Sequence, residues 1–137
     1  MFVFDRMNEQ LVRAVIETMP MEITVIDAND EVVAWNKHQT RLFHRPDSSM
    51  GLNFRDCHPR ESLAKVEQIV AEMKAGQRQK ARFWINAKIS AGSDQRHMIL
   101  IEFFALHDEK GRYLGCLECM QDIEDVRRLE GDKRLLD

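Results

Sequence analysis

The segment from Cys57 to Ser62 carries the residue types in this chain of 137 residues that are best suited to binding a metal. A neutral imidazole is a common metal ligand, and a cysteine thiolate is another. Proline fixes its own φ and pushes the preceding residue out of the α region, so Pro59 predicts that His58 is extended, directly ahead of a helix. The imidazole would then lie at the rigid end of a packed element, where it can be aimed into the domain.

The residues after Pro59 predict the helix that would position this histidine. Apolar side chains recur there at spacings of three and four and form one stripe, whereas charged and amide side chains occupy the opposite face. Gly76 predicts where the helix ends, because glycine readily adopts the left-handed conformation of a helix C-terminus. The stripe consists of Leu63, Val66, Ile69, Val70 and Met73.

Further elements are predicted ahead of this segment. An apolar residue at every fourth position predicts an amphipathic helix that ends at Pro20. Apolar residues at 23–26 and 32–35, separated by a polar turn, predict two strands of a hairpin. Asn36 is a residue type that caps helices, and we expect it to begin a short helix through Leu42 and Phe43. The repeating residues of the first helix are Met7, Leu11, Val15 and Met19.

Three β-rich segments follow the central helix, at residues 79–87, 96–107 and 113–121. Turn residues rich in glycine, serine and aspartate separate them. The order is a helix, two strands, short helices, a longer helix, three strands and a charged helical tail. This order predicts an α+β fold with a five-stranded antiparallel sheet.

The composition argues against several classes of function. A net charge of -3 and a pI near 6, without a basic stripe, disfavour binding to nucleic acid or anionic lipid. No apolar run approaches the roughly 20 residues of a membrane span, and the N-terminus lacks a signal-peptide layout, so we expect a cytoplasmic domain. Three cysteines, an odd number, fit a reducing compartment. No paired carboxylates or Ser-His-Asp grouping suggests catalysis, so we do not expect an enzyme.

The order of elements and several short motifs resemble a PAS domain. The motifs are Ile26-Asp27 in the first hairpin, Trp35-Asn36 at the end of the second strand, and Gln121-Asp122-Ile123-Glu124 near the exit, where Glu124 stands in place of the threonine of many PAS cores. The resemblance implies the PAS fold, with helices on one face of the sheet and further helices at both ends. It divides the chain into an N-terminal helix at 1–20, a PAS core at 21–122 and a signalling helix at 123–137.

Four blocks are more narrowly similar to PAS domains that are fused to hemerythrin-like domains. This similarity implies that the domain belongs to a larger protein, with a hemerythrin-like or other output domain as its partner. The blocks are Cys57-His58-Pro59, Phe83-Trp84-Ile85, Tyr113-Leu114-Gly115 and Leu129-Glu130-Gly131.

The stretch from His58-Pro59 to Glu61-Ser62 also looks like the haem-binding PAS domains of carbon-monoxide-sensing bacterial regulators. The histidine at the position of His58 is an axial iron ligand there, so the resemblance implies haem b as a cofactor and a diatomic gas or the iron redox state as the signal. A methionine is the second ligand in those regulators, whereas Phe83 aligns with it here. The iron would be five-coordinate or would recruit Met98, Met120 or Cys57. The expected pocket wall is Phe83, Ile85, Ile99, Ile101 and Phe103.

Other interpretations stay open. His58 can equally be a turn histidine whose ring bonds the backbone and orders the start of the helix. The domain can have a filled core and act only as a homodimerising interaction module, which the apolar seams of both terminal helices favour. It can also sense a different small molecule, such as an acid or a flavin. Cys116 and Cys119 are expected on opposite faces of a strand, which disfavours a zinc or redox pair.

Overall fold

A five-stranded antiparallel sheet organises residues 4–136, the part of the chain that the computed structural model describes. In chain order the strands are β1 (Glu22–Asp27), β2 (Val32–Trp35), β3 (Lys80–Lys88), β4 (Arg96–His107) and β5 (Tyr113–Asp122). They lie side by side in the order β2-β1-β5-β4-β3, and every neighbouring pair is antiparallel. The α-helices are α1 (Glu9–Thr18) and α2 (Arg60–Lys74). The predicted α+β fold with five antiparallel strands is confirmed.

One face of the sheet forms the core together with α2. Ile99, Ile101 and Phe103 alternate along β4 and pack against Val66 and Val70 of α2. Burial of these apolar side chains is the main source of stability, at about 25 cal/mol for each Å² removed from water. Other members of this cluster are Ile26, Val32, Phe54, Met73, Ala81, Cys116 and Met120.

The position of α2 follows from the two residues that bound it. Pro59 precedes the first helical residue with φ -59° and ψ 146°, an extended conformation that directs the chain into the helix. Gly76 has φ 74°, and its N–H bonds the carbonyl oxygen of Met73, which closes the helix at its C-terminus. The predicted start and end of this helix are both confirmed.

The N-terminal helix α1 forms within the predicted range 1–20, although residues 1–3 lie outside the described residues. Asn8 caps it by accepting a hydrogen bond from the Leu11 N–H at 2.8 Å. None of its residues is buried, and Leu11 and Val15 are 50% and 46% exposed. Within residues 4–136, neither helix has the length and the apolar content that crossing a membrane requires.

Asn36 does not cap a helix, contrary to the sequence prediction. Residues 38–40 form a turn and residues 42–43 a bend, and Lys37, directly after Asn36, has φ 54°. The Asn36 side chain is instead fully buried, where it accepts a bond from the Ile23 N–H and donates to the carbonyl oxygens of Ile16 and Met21. The amide thus satisfies backbone groups of α1 and β1 that would otherwise be buried without partners.

The chain after β5 differs from the helix predicted over 123–137. One 3-10 turn spans Val126–Arg128, and no regular structure follows it up to residue 136, while Asp137 lies outside the described residues. Leu129, Leu135 and Leu136 are all exposed, and a short helix without a packed face is marginal in water. The structure therefore corrects the predicted helix, while a signalling role for this segment stays a prediction.

The two edges of the sheet are unequal. At the β2 edge, the Val32 N–H bonds the Leu52 carbonyl oxygen and the Gly51 N–H bonds that of Val32, so neighbouring loop residues occupy part of this edge. At the other edge, β3 has nine residues, and no strand of the described residues 4–136 pairs with its outer side. Trp84, in the middle of β3, is 62% exposed.

Gly115 allows β5 to approach β1 at unusually short range. It pairs with Asp27 and has φ 153°, in the region that side chains rarely adopt. A Cβ there would overlap the carbonyl oxygen of Ile26 and lie 3.0 Å from Asp27 Cα. Because both neighbours are backbone atoms in a strand, they cannot move aside without breaking the ladder.

We expect Gly115→Ala to lower the free energy of unfolding by about 3 kcal/mol or more, since the new methyl group must displace a central strand. Urea unfolding followed by circular dichroism measures the change. Gly111→Ala is the matched control, because Gly111 has φ 80° but open space around its Cα, so only backbone strain of about 1 kcal/mol is expected. Equal losses in the two variants would contradict this account.

Candidate functional site

His58 lies where the sequence predicted it, in the turn that leads into α2. Its Nδ1 is 2.8 Å from the carbonyl oxygen of Phe54, and the two rings meet edge to face with centroids 6.0 Å apart. A carbonyl oxygen only accepts, so Nδ1 carries a proton and donates it, and in the neutral imidazole Nε2 then has a free lone pair. This is the tautomer that a histidine ligand needs, and it is also the backbone-bonded arrangement expected for a structural turn histidine.

The cavity beside His58, which we call the α2 chamber, is about 20 Å³ in volume. This is enough for about one water molecule, which needs roughly 10–15 Å³, and far below the roughly 300–1,000 Å³ of small-molecule pockets. The residues present therefore do not fit a haem in this conformation. The chamber is lined by Thr24, Ile26, Phe54, His58, Val66, Val70, Phe103, Cys116 and Glu118.

The structure separates the residues predicted to line one pocket. Phe103 lines the α2 chamber with His58, whereas Ile101 is part of the packed core. Ile99 is 1% exposed and lines a different cavity at the end of the sheet. Phe83 and Ile85 lie on the same face but on the edge strand β3, where they are 37% and 40% exposed.

None of the three predicted alternatives for a second iron ligand lines the α2 chamber, and two of them, Met98 and Met120, lie in the sheet. Met98 lies next to Ile99 on β4, on the face away from α2, and Met120 lines the cavity at the end of the sheet rather than the α2 chamber. Cys57 is partly buried against the core. Within residues 4–136, no cluster of three or more His, Cys, Asp or Glu side chains is arranged to hold a metal ion.

Cys116 and Cys119 lie on opposite faces of β5, as the strand period predicts. Cys116 is opposite Ala105 on the face toward α2, and Cys119 is opposite Glu102 on the other face. Burial raises the pKa of the Cys116 thiol to about 12 and that of the Cys119 thiol to about 11, and the nearby carboxylates add to the shift. Both thiols therefore stay protonated and inert near neutral pH.

A buried charged cluster, which sequence reasoning missed, fills the space between β1 and the loop at 37–45. The Arg41 side chain is fully buried, and its guanidinium lies 3.7 Å from the Glu22 carboxylate. Burial lowers the pKa of Arg41, and the Glu22 charge opposes this shift. The guanidinium also donates hydrogen bonds to Phe43 O, Ile23 O, Asn36 O and Thr24 Oγ1.

Glu22 and Glu118 extend this cluster along the sheet. The Glu22 carboxylate accepts the N–H groups of Leu42 and Phe43, which holds the loop against β1. Arg45 donates to Thr24 Oγ1 at 2.9 Å and lies 3.5 Å from the Glu118 carboxylate. The buried charges are thus paired, as burial without a large desolvation penalty requires.

A second cavity, which we call the end cleft, lies between the start of β1, the end of β5 and the loop after β2. Its volume is about 260 Å³, close to the lower limit of small-molecule sites. It is more open to solvent than the α2 chamber. The lining residues are Pro20, Met21, Glu22, Lys37, Leu42, Phe43, Ile99, Met120, Gln121 and Asp122.

Next to this cleft, where the chain leaves β5, Asp122 and Glu124 form a polar cluster that we call the exit clamp. Asp122 accepts a bond from His97 at 2.6 Å, and Glu124 accepts one from the Met98 N–H at 2.8 Å. The Met98 N–H lowers the pKa of the Glu124 carboxyl, which also pairs with Arg127 and Arg128. The residue that replaces threonine in the exit motif therefore ties the tail to the start of β4.

A family model described as a PAS domain matches residues 12–124, which include the sheet, α2 and the exit clamp. The chain belongs to the PAS domain family. PAS domains generally act as sensory and interaction modules, mediate dimerisation and occur in larger proteins that include sensor kinases. A hemerythrin-like output domain and haem binding through His58 stay predictions for this PAS domain.

Solved structures share the fold of this PAS domain. A C-terminal domain from Streptococcus mutans is 25% identical with a TM-score of 0.80, and the match covers 90% of this chain and 91% of that chain. A sensory box sensor histidine kinase from Vibrio cholerae is 14% identical with a TM-score of 0.56, covering 82% and 89% of the two chains. The VqmA dimer of Vibrio cholerae is 16% identical with a TM-score of 0.62, covering 88% and 54%. No curated protein matches the chain with significance.

We expect iodoacetamide to label Cys57 in the folded PAS domain, because Cys57 is partly exposed, and to leave Cys116 and Cys119 unmodified near neutral pH, because both are buried and their raised pKa keeps them protonated. Mass spectrometry of the tryptic peptides identifies the labelled residues. Cys57→Ser is the control, in which labelling should require denaturant. Rapid modification of Cys116 in the native protein would show that the core opens on the timescale of the reaction.

Proposed function

We propose that this PAS domain is a signalling module that pairs with a second copy of itself through α1. The single observation that carries the proposal is the apolar side of α1, where Leu11, Val15 and Ile16 are all exposed to solvent although the helix is formed and anchored. An amphipathic helix with an unpaired apolar face gains stability by burying that face. A second copy offers the same face, so a twofold interface is self-complementary.

The anchoring of α1 supports its role as a signalling element. The Asn36 side chain holds the Ile16 carbonyl oxygen at 2.8 Å, and the Lys37 N–H donates to the Glu17 carboxylate at 2.8 Å. These bonds attach the end of α1 to the start of β1 and the end of β2. The orientation of α1 is therefore coupled to the sheet, so pairing of two copies through α1 would alter the packing of α1 against the strands.

The end of β5, where the chain leaves the sheet, lies next to the attachment of α1. Glu22 at the start of β1 is opposite Met120 near the end of β5. The exit clamp of Asp122 and Glu124 follows within a few residues. A change in α1 packing can thus reach the tail across a single pair of strands, provided that the two arrangements of α1 differ in their contacts. The VqmA structure similar to this fold is described as a dimer, which supports the same role here.

Leu11→Glu is expected to weaken self-association by about tenfold or more. Burying a leucine side chain contributes about 1.5–3 kcal/mol, and each 1.4 kcal/mol changes a dissociation constant tenfold. Sedimentation equilibrium measures the monomer–dimer constant. Gln10→Glu is the matched control, because it adds the same charge to the neighbouring position on the polar side of the helix. A wild-type chain that stays monomeric at high concentration would contradict the proposal.

A haem-binding sensor with His58 as the axial ligand is the second candidate. The free lone pair on Nε2 favours it, because the Phe54 carbonyl oxygen already holds the correct tautomer. The size of the α2 chamber opposes it, since α2 would have to move away from the sheet to admit a macrocycle. Haem would supply a site for a diatomic ligand or an electron.

An absorption titration with haemin tests the second candidate. If the chamber stays closed, wild type and His58→Ala give the same spectrum in both oxidation states, which is the outcome that the chamber volume predicts. A sharp Soret band in wild type that is lost in His58→Ala would establish haem binding through this residue. His107→Ala, at the C-terminal end of β4, is the control for unspecific binding to other histidines.

A further inference from the structure

The end cleft combines an apolar floor with an entrance of polar groups. Ile99 and Met120 form the floor from β4 and β5, and both are almost fully buried. Leu42 and Phe43 cover it from the loop, which Glu22 holds in place through their N–H groups. Such a surface stabilises the apolar body of a ligand by removing it from water.

The charges around the cleft are neutralised with one exception. Glu22 pairs with Arg41, and Asp122 is bonded by His97. Among the described residues, the Lys37 ammonium forms no ion pair, and it donates one hydrogen bond, to the Glu17 carbonyl oxygen at 3.0 Å. An ammonium has three donors, so two remain for a further acceptor, and Lys37 is one of the residues that line the cleft.

The backbone conformation of Lys37 also singles out this residue. Its φ of 54° lies in the left-handed region, which is costly for a residue with a long side chain. The Glu17 carboxylate holds this conformation by accepting the Lys37 N–H at 2.8 Å. The strain is maintained by a specific contact, and it places a lysine rather than a glycine at the edge of the cleft.

We propose that the end cleft binds a small carboxylic acid with an apolar body, with Lys37 as the partner of the carboxylate. Ile99, Met120 and Phe43 contact the apolar part. A charge-assisted bond from an ammonium to a carboxylate is stronger than one to a neutral amide, so the site distinguishes an acid from its amide. The cleft is separate from the α2 chamber and does not use His58.

Ligand binding would act on α1 through Lys37. A carboxylate that draws the ammonium away from Glu17 removes one of the bonds that anchor the end of α1. The orientation of α1 would then loosen, and pairing of two copies would weaken. This step rests on the proposed pairing through α1, whereas binding of the acid itself does not.

The test uses nuclear magnetic resonance of the ¹⁵N-labelled chain with benzoate, 3-methylbutanoate and benzamide as probes. We expect both carboxylates to shift the amide signals of residues around the end cleft at millimolar concentration, and benzamide to bind about tenfold more weakly. Lys37→Met should reduce benzoate affinity about tenfold or more, and Lys37→Arg should retain part of it. Lys110→Met, in the turn before β5, is the control and should bind benzoate as wild type does.

Several outcomes would overturn the assignment. Equal affinity for benzoate and benzamide would show that Lys37 does not bind the carboxylate. This comparison uses the wild-type chain, so it still tests the proposal if Lys37→Met does not fold. Amide signals that shift only in another region, or that do not shift with either carboxylate, would show that the end cleft is not the binding site. Light scattering of the same samples measures pairing separately. A chain that is monomeric with and without benzoate would contradict the α1 proposal, whereas the chemical-shift changes alone test binding to the end cleft.

Discussion

The buried amide of Asn36 is the interaction on which the functional parts of this PAS domain depend. It is fully buried, and its three hydrogen bonds join the end of α1, the residue before β1 and β1 itself. Leaving one of these buried groups without a partner costs about 1–3 kcal/mol, so the amide determines where α1 can lie. Because α1 is held through its backbone, its apolar side chains are free to face outward. The same attachment brings Lys37 to the edge of the end cleft.

Interactions between neighbours in sequence explain which elements could be predicted. The start of α2 after Pro59 and its end at Gly76 depend on backbone preferences of those two residues, and its buried stripe depends on the helical period. The opposite placement of Cys116 and Cys119 follows in the same way from the strand period. Each of these features is decided within a few residues of the chain.

Features that depend on distant partners were not predictable in the same way. Asn36 has the side chain of a helix cap, but its partners lie 13 to 20 residues away, and they decide its role. Arg41 looks like a surface residue in the sequence, although Glu22 and backbone carbonyl oxygens make its burial possible. For His58, both interpretations share the same local conformation, and the volume of the chamber beside it is the property that separates them. The tail lacks a packing partner, which its apolar spacing alone does not reveal.

The unequal edges of the sheet limit how the molecule can grow by strand addition. Loop residues bonded to Val32 occupy part of the β2 edge, so an incoming strand has access mainly to β3, whose central Phe83-Trp84-Ile85 segment is exposed. Lys80, Arg82 and Lys88 lie along that strand, and each forms an ion pair with a carboxylate of the same chain, Glu102 or Asp94. An incoming strand would have to accommodate these charged side chains, which disfavours open-ended fibrous assembly and leaves closed association by a helix as the less costly route.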